Sequence, residues 1–237
     1  MASSEADYLR ALYQDWSDRM GANPDMNISD LRAMFGEWES VTLEPEDVSY
    51  KSGHVGGVDG VWAYPADGDR NKVLLYTHGG GFVVGSSSTH RKIAGHIAKA
   101  LGVTAFVMDY RLAPEHPFPA QVDDAVAVFN GLIASGIAAN DIATIGDSAG
   151  GNLAVATVLR LRELDSETPG CVIAFSPWVD MQMTGGSLDS KAATDALVQR
   201  PILEGMRGMF LGDATTADHP IASPLVSDYQ GYPPLYV

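Results

Sequence analysis

Ser148 stands between glycines in the run Gly146-Asp147-Ser148-Ala149-Gly150-Gly151. A β-like stretch, Asp141 to Ile145, precedes it and a helix-like stretch, Asn152 to Leu159, follows. A strand that turns sharply into a helix crowds its own backbone on both sides, and glycines at 146 and 150 remove the clashing Cβ atoms. Ser148 is then thrust out at the carboxyl edge of a sheet in a strained conformation, the nucleophile elbow G-x-S-x-G. The positive end of the following helix lies behind its oxygen. An ordinary Gly-rich turn can carry the same letters, and the strand before and helix after favour the elbow. The chemistry implied is attack of a serine hydroxyl on a carbonyl carbon.

Acyl transfer develops negative charge on the carbonyl oxygen, and backbone N–H groups stabilise it only where the main chain comes close. The run His78-Gly79-Gly80-Gly81-Phe82 follows the strand-like Val73–Thr77 and permits that approach. Gly80 and Gly81 are the expected donors, with the Ala149 N–H as a third. His78 precedes the donors, so it is expected to brace the loop through a hydrogen bond rather than act as a base. A glycine triplet can also cradle phosphate, but the Walker lysine and an opening G-x-G-x-x-G are absent. A third segment, residues 109–125, holds three prolines together with Asp109, Arg111, Glu115 and His116. Prolines fix the path of a loop. The preferred reading is a rigid loop whose polar groups pair with one another and with the backbone.

The elements that must position these groups alternate. Strand-like Val73–Thr77, Val103–Met108, Ile142–Ile145 and Val172–Phe175 are interleaved with helical patterns over Thr89–Leu101, Val122–Ser135 and Asn152–Leu164. Short apolar strands alternating with helices predict an α/β fold: a mostly parallel central sheet covered on both faces. Residues 41–50 and 55–65 read as an antiparallel pair. Residues 188–211 read as helical, interrupted at Pro201 and Gly205. At the N-terminus, Leu9, Leu12, Tyr13, Trp16 and Met20 make one apolar helical face. A second face, Leu31, Met34, Phe35 and Trp38, follows Ser29 as its expected cap. These two helices either pack on the core or form a cap over the site. The expected division is a helical segment over 1–40 and a core over 41–237.

Of the 237 residues, 46% are hydrophobic, which suffices for one sizeable core. A net charge of −15 repels phosphate backbones and anionic lipid, so neither a nucleic-acid nor a membrane partner is expected. The single cysteine, Cys171, lies in an apolar run and is expected to be buried and inert. The polar start and the lack of a long apolar stretch predict a cytoplasmic protein.

Taken together and in order, HGGGF at 78–82, DYRLAPEHPFPA at 109–120, GDSAGG at 146–151 and SPWVD at 176–180 closely resemble the hormone-sensitive-lipase-like esterases, bacterial family IV of the α/β-hydrolase fold. The resemblance runs from about residue 40 to the last residue, and the helical N-terminus is similar to that family's cap. It implies a carboxylesterase of short acyl esters with Ser148 as nucleophile. Gly80, Gly81 and Ala149 would form the oxyanion hole, and no metal or organic cofactor is implied. Phe82 and Trp178 are candidates for the substrate pocket, although core packing explains them equally well. Two alternatives remain: a lactone hydrolase, and a non-catalytic hydrolase-fold module that binds or senses a small molecule.

The pattern breaks at the triad. In this fold the order is Ser, then Asp or Glu, then His. The resemblance places the acid after a strand opening with residues like those of Tyr232–Val237, and the histidine later still, so acid and base are not identifiable in this chain. Only His219 of the six histidines follows Ser148, in a segment where the resemblance implies no base; Asp180 and Asp189 have no warrant as the acid. The expectation is a C-terminally truncated hydrolase core, weak alone or dependent on a partner. Its unfinished edge would favour a homo-oligomer or a complementing chain.

Overall fold

A computed structural model describes residues 3–237. Two helices, α1 (Ser4–Ala22) and α2 (Ile28–Phe35), run into a tight helical turn at Gly36–Ser40. There follow β1 (Val48–Val55), β2 (Val58–Pro65), β3 (Asp69–Thr77), α3 (Ser87–Leu101), β4 (Val103–Met108), α4 (Ala120–Ala134), β5 (Ile142–Asp147), α5 (Ala149–Glu163) and β6 (Cys171–Phe175). The chain closes with α6 (Ser187–Ser190), α7 (Arg200–Leu211) and β7 (Leu235–Tyr236). One sheet runs β1-β2-β4-β3-β5-β6-β7. The pairs β1/β2 and β2/β4 are antiparallel and the others parallel. This is the mostly parallel, helix-covered sheet that the alternating pattern predicts.

The two-residue period of β3 divides the core. Val73 and Leu75 face α4 and α5, among Phe106, Phe129, Leu153 and Val158. Leu74 and Tyr76 face α3, among Ala94, Ala98 and Val107. A strand buried on both faces reads as a continuous apolar run, as Val73–Thr77 does. The parallel register sets Thr77 beside Gly146, so β3 and β5 end side by side. The HGGGF turn and the GDSAGG turn therefore leave the same carboxyl edge. A third cluster joins Trp16, Met34 and Phe35 to Val83, Val84, Ala113 and Met206. The N-terminal helices thus sit over that edge; residues 1 and 2 of the expected 1–40 segment lie outside the described residues.

Several boundaries differ from expectation. Asn27, not Ser29, caps α2, its side chain accepting from the Asp30 N–H at 2.9 Å. The N-terminal half of the expected strand over 41–50 is irregular, since Pro45 has no N–H for a ladder, and β1 begins at Val48. The expected helix over 188–211 divides into α6 and α7. Asp195 Oδ1 accepts from the Leu197 and Val198 N–H groups between them, and Pro201 lies in the first turn of α7, where its missing N–H costs nothing. Gly205 lies inside α7 without interrupting it. Cys171 is partly exposed rather than buried, because it opens β6 at the sheet's rim. Among the described residues no helix is long and apolar enough to cross a membrane.

Candidate active site

Ser148 adopts φ 54°, ψ −120°, between the end of β5 and the first residue of α5. A non-glycine residue there stores strain on the order of 1–3 kcal/mol and persists only where its surroundings over-determine it. They do. The Ser148 N–H donates to the Phe175 carbonyl at 2.9 Å, and the Ser148 carbonyl accepts from Trp178 N–H at 2.9 Å and Asn152 N–H at 3.0 Å. The neighbouring glycines have no spare room. A Cβ on Gly146 would lie 2.4 Å from the Thr77 carbonyl oxygen, and one on Gly150 would lie 2.0 Å from it and 2.5 Å from that of His78. The Thr77 hydroxyl, 2.7 Å from the Gly150 carbonyl, fastens the turn to β3.

The HGGGF turn folds back on itself, the Gly80 carbonyl accepting from Val83 and Val84 N–H groups at 3.0 and 2.9 Å. Gly80 and Gly81 both have positive φ, 117° and 61°, and both face the cavity at Ser148. The N–H groups of Gly80, Gly81 and Ala149 have no acceptor among the described residues. Three open donors beside a projecting hydroxyl can take up charge developing on a carbonyl oxygen. The cavity measures about 220 Å³. Tyr13, Phe35 and Trp38 wall it from the N-terminal segment, Trp178 from the loop after β6, and Ile202 and Met206 from α7. The N-terminal helices both pack on the core and enclose the site.

A sequence profile of the alpha/beta hydrolase fold family matches residues 74–237. A crystal structure of an esterase from the bacterial hormone-sensitive lipase family superimposes with a TM-score of 0.92 at 38% identity, over 99% of this chain and 78% of that one. The chain belongs to this family. An acetyl-hydrolase of Streptomyces hygroscopicus is 35% identical over 240 residues, covering 100% of this chain and 77% of the relative. An esterase of Acinetobacter venetianus is 36% identical over 172 residues, 73% of this chain and 57% of the relative.

The hydrolase fold places the remaining candidates as follows. His78 is fully enclosed; its Nδ1 lies 2.7 Å from the Gly79 carbonyl oxygen, which can only accept, and its ring stacks on Tyr110 at 4.2 Å. Burial first, then the neighbouring His90, hold its pKa down to about 3, so it is neutral at physiological pH. Trp178 lines the cavity, but Phe82 does not: its ring is buried and stacked at 3.8 Å on Phe210, because its φ of 64° turns it inward. His219 Nδ1 accepts from the Ile221 N–H at 3.3 Å and its ring packs on Phe118, away from Ser148. Asp180 closes a local turn on Thr184, and Asp189 pairs with Arg200. Among the described residues Ser148 Oγ has no hydrogen-bond partner, and no histidine lines its cavity.

The 109–125 loop is tied down from inside and outside. Arg111 pairs with Asp124 at 2.7 Å, while His116 is exposed. Asp109 accepts from the N–H and hydroxyl of Ser87 at 2.6 and 2.7 Å. Arg32 of α2 reaches Glu115 at 2.6 Å and donates to the carbonyls of Val83 and Ala113. Its hydrogen bonds hold the Glu115 carboxyl down to about 2. One guanidinium therefore joins the N-terminal helices, the glycine turn and the proline loop. Sequence reading missed Arg32, and also Tyr76, His90 and Asp147. Only Asp147 carried a signal, its place next to the serine.

Two outcomes are expected. Gly150→Ala sets a Cβ against two immovable carbonyls, so it destabilises by about 3 kcal/mol or more, measured by urea unfolding. His78 is buried uncharged, so its contribution is full above its unfolded pKa near 6.5 and is lost as pH falls toward about 3. The stability difference between wild type and His78→Gln should shrink by about 1.4 kcal/mol per pH unit across that window.

Proposed function

We propose that this chain is a serine carboxylesterase that cleaves short-chain acyl esters through a Ser148 acyl-enzyme. The observation that carries this reading is the strained Ser148 facing the open N–H groups of Gly80, Gly81 and Ala149. Ser148 Oγ attacks the ester carbonyl carbon and the carbonyl oxygen takes the electron pair. The three N–H groups meet that charge, the bond to the alcohol oxygen breaks, and water then hydrolyses the acyl-serine. A cavity of about 220 Å³, walled mostly by aromatic and aliphatic residues with Asp147 and Asp195 also in its lining, suits small acyl and alcohol groups that carry no negative charge. Relatives named acetyl-hydrolase and esterase point the same way.

The serine proton passes to water and the departing alkoxide takes one up from water, since among the described residues no histidine lines the cavity as a general base. Without such a base, the donors and binding alone leave on the order of 10³–10⁴-fold acceleration over water. The lactone variant uses the same steps with a cyclic ester. A purely binding module has no use for a strained serine beside three unpaired donors.

Fluorophosphonate labelling and hydrolysis of a short-chain nitrophenyl ester, each compared with Ser148→Ala, test the proposal. Labelling confined to wild type is the expected result. Equal labelling and equal turnover in both proteins would remove Ser148 from the chemistry.

A further inference from the structure

The acyl-transfer steps leave one part-buried charge unused, the carboxylate of Asp147, a residue of the Ser148 cavity lining. Asp147 ends β5 immediately before Ser148 and lies on the α3 face of the sheet, the face shared by Ile145 and Tyr76. Its Oδ1 accepts from the Tyr76 hydroxyl at 2.8 Å and from the Gly79 N–H at 3.2 Å. Its Oδ2 lies 3.6 Å from Nε2 of His90, a buried residue of α3. The fit to the glycine turn is close, since a Cβ on Gly79 would sit 2.2 Å from Oδ2. On its far side His90 meets the edge of Trp38, a wall of the cavity, with ring centroids 5.6 Å apart. Burial raises the Asp147 carboxyl, but His90 and the Tyr76 hydroxyl outweigh it, and the group stays below its ordinary value and charged.

We propose that Asp147 is a positioning residue for the oxyanion turn: its carboxylate, anchored by Tyr76 and His90, holds the Gly79 N–H and so aims the next two amides, Gly80 and Gly81, at the oxygen of a Ser148 adduct. The tether acts one residue before the donors. The other end of the turn is fixed separately, by Arg32 on the Val83 carbonyl and by the Ala113 N–H on that of Phe82. A turn held at both ends presents its donors without reorganising as charge develops. Released at Gly79, it still encloses the cavity but loses its aim. The effect should therefore fall on tetrahedral species and spare planar ligands.

This inference rests on the esterase reading, so the test includes a readout that needs no turnover. Butylboronic acid, whose tetrahedral serine adduct places an oxygen where the oxyanion would be, and planar butyramide are each titrated in competition with fluorophosphonate labelling of the 237-residue chain. Asp147→Ala should weaken the boronate by about 10–100-fold, somewhat below the loss of a whole oxyanion donor, and leave butyramide within about twofold. Asp147→Asn keeps an acceptor for Gly79 and should fall between wild type and Asp147→Ala. With nitrophenyl acetate the loss should appear in kcat and not in KM. Equal weakening of boronate and butyramide, or no change in either, would reduce Asp147 to a support of the fold. Should Asp147→Ala lack a cooperative unfolding transition, Asp147→Asn decides by the same ratio. A wild type that is neither labelled nor bound by the boronate would sink the esterase reading, and this inference with it.

Discussion

The contact on which the site depends is the one between the α carbons of Gly146 and Gly150 and the carbonyls of Thr77 and His78. At these separations there is no space for a single methyl group. Because the turn lies that close to the end of β3, the chain leaves β5 with Ser148 at a positive φ and enters α5 at once. The serine oxygen is thereby projected beyond the sheet edge, and the Ala149 N–H stands open at the start of the helix. Everything else in the site is fixed relative to this junction.

Two sets of polar contacts complete it. On one side, His78, neutral and enclosed, and Asp147, charged and half-enclosed, pin the entry to the glycine turn. On the other, Arg32 brings the N-terminal helices down onto the exit of that turn and onto the proline-rich loop. The apolar contacts of Trp16, Phe35 and Met206 supply burial beneath that clamp. The cavity is thus closed by residues far apart in the chain, and its donors and walls are positioned by one connected structure.

Much of this was legible in the sequence because the informative residues are constrained locally. The alternation of apolar strands and helices gave the parallel sheet, and the spacing of glycines around Ser148 gave the elbow. His78 read as a brace because it precedes the donors. What escaped depended on partners remote in sequence. Asp147 is one letter of a motif until the register places it beside Tyr76 and α3 delivers His90. Arg32 resembles any charged residue on an amphipathic helix until α2 is set against residues 83 and 113. Phe82 fits a pocket wall and a core position equally well by its place in the motif, and only the backbone that turns its ring inward puts it in the core. Boundaries slipped for a similar reason: Asn27, at the end of one irregular segment, and Asp195, inside another, make side-chain hydrogen bonds that compete with the hydrophobic pattern.

The most direct measurement is a crystal structure of the phosphonylated protein. The account predicts phosphorus bonded to Ser148 Oγ, with the phosphoryl oxygen about 2.7–3.1 Å from the backbone nitrogens of Gly80, Gly81 and Ala149. A phosphonyl group on another residue, or one on Ser148 whose oxygen points away from those nitrogens, would contradict it.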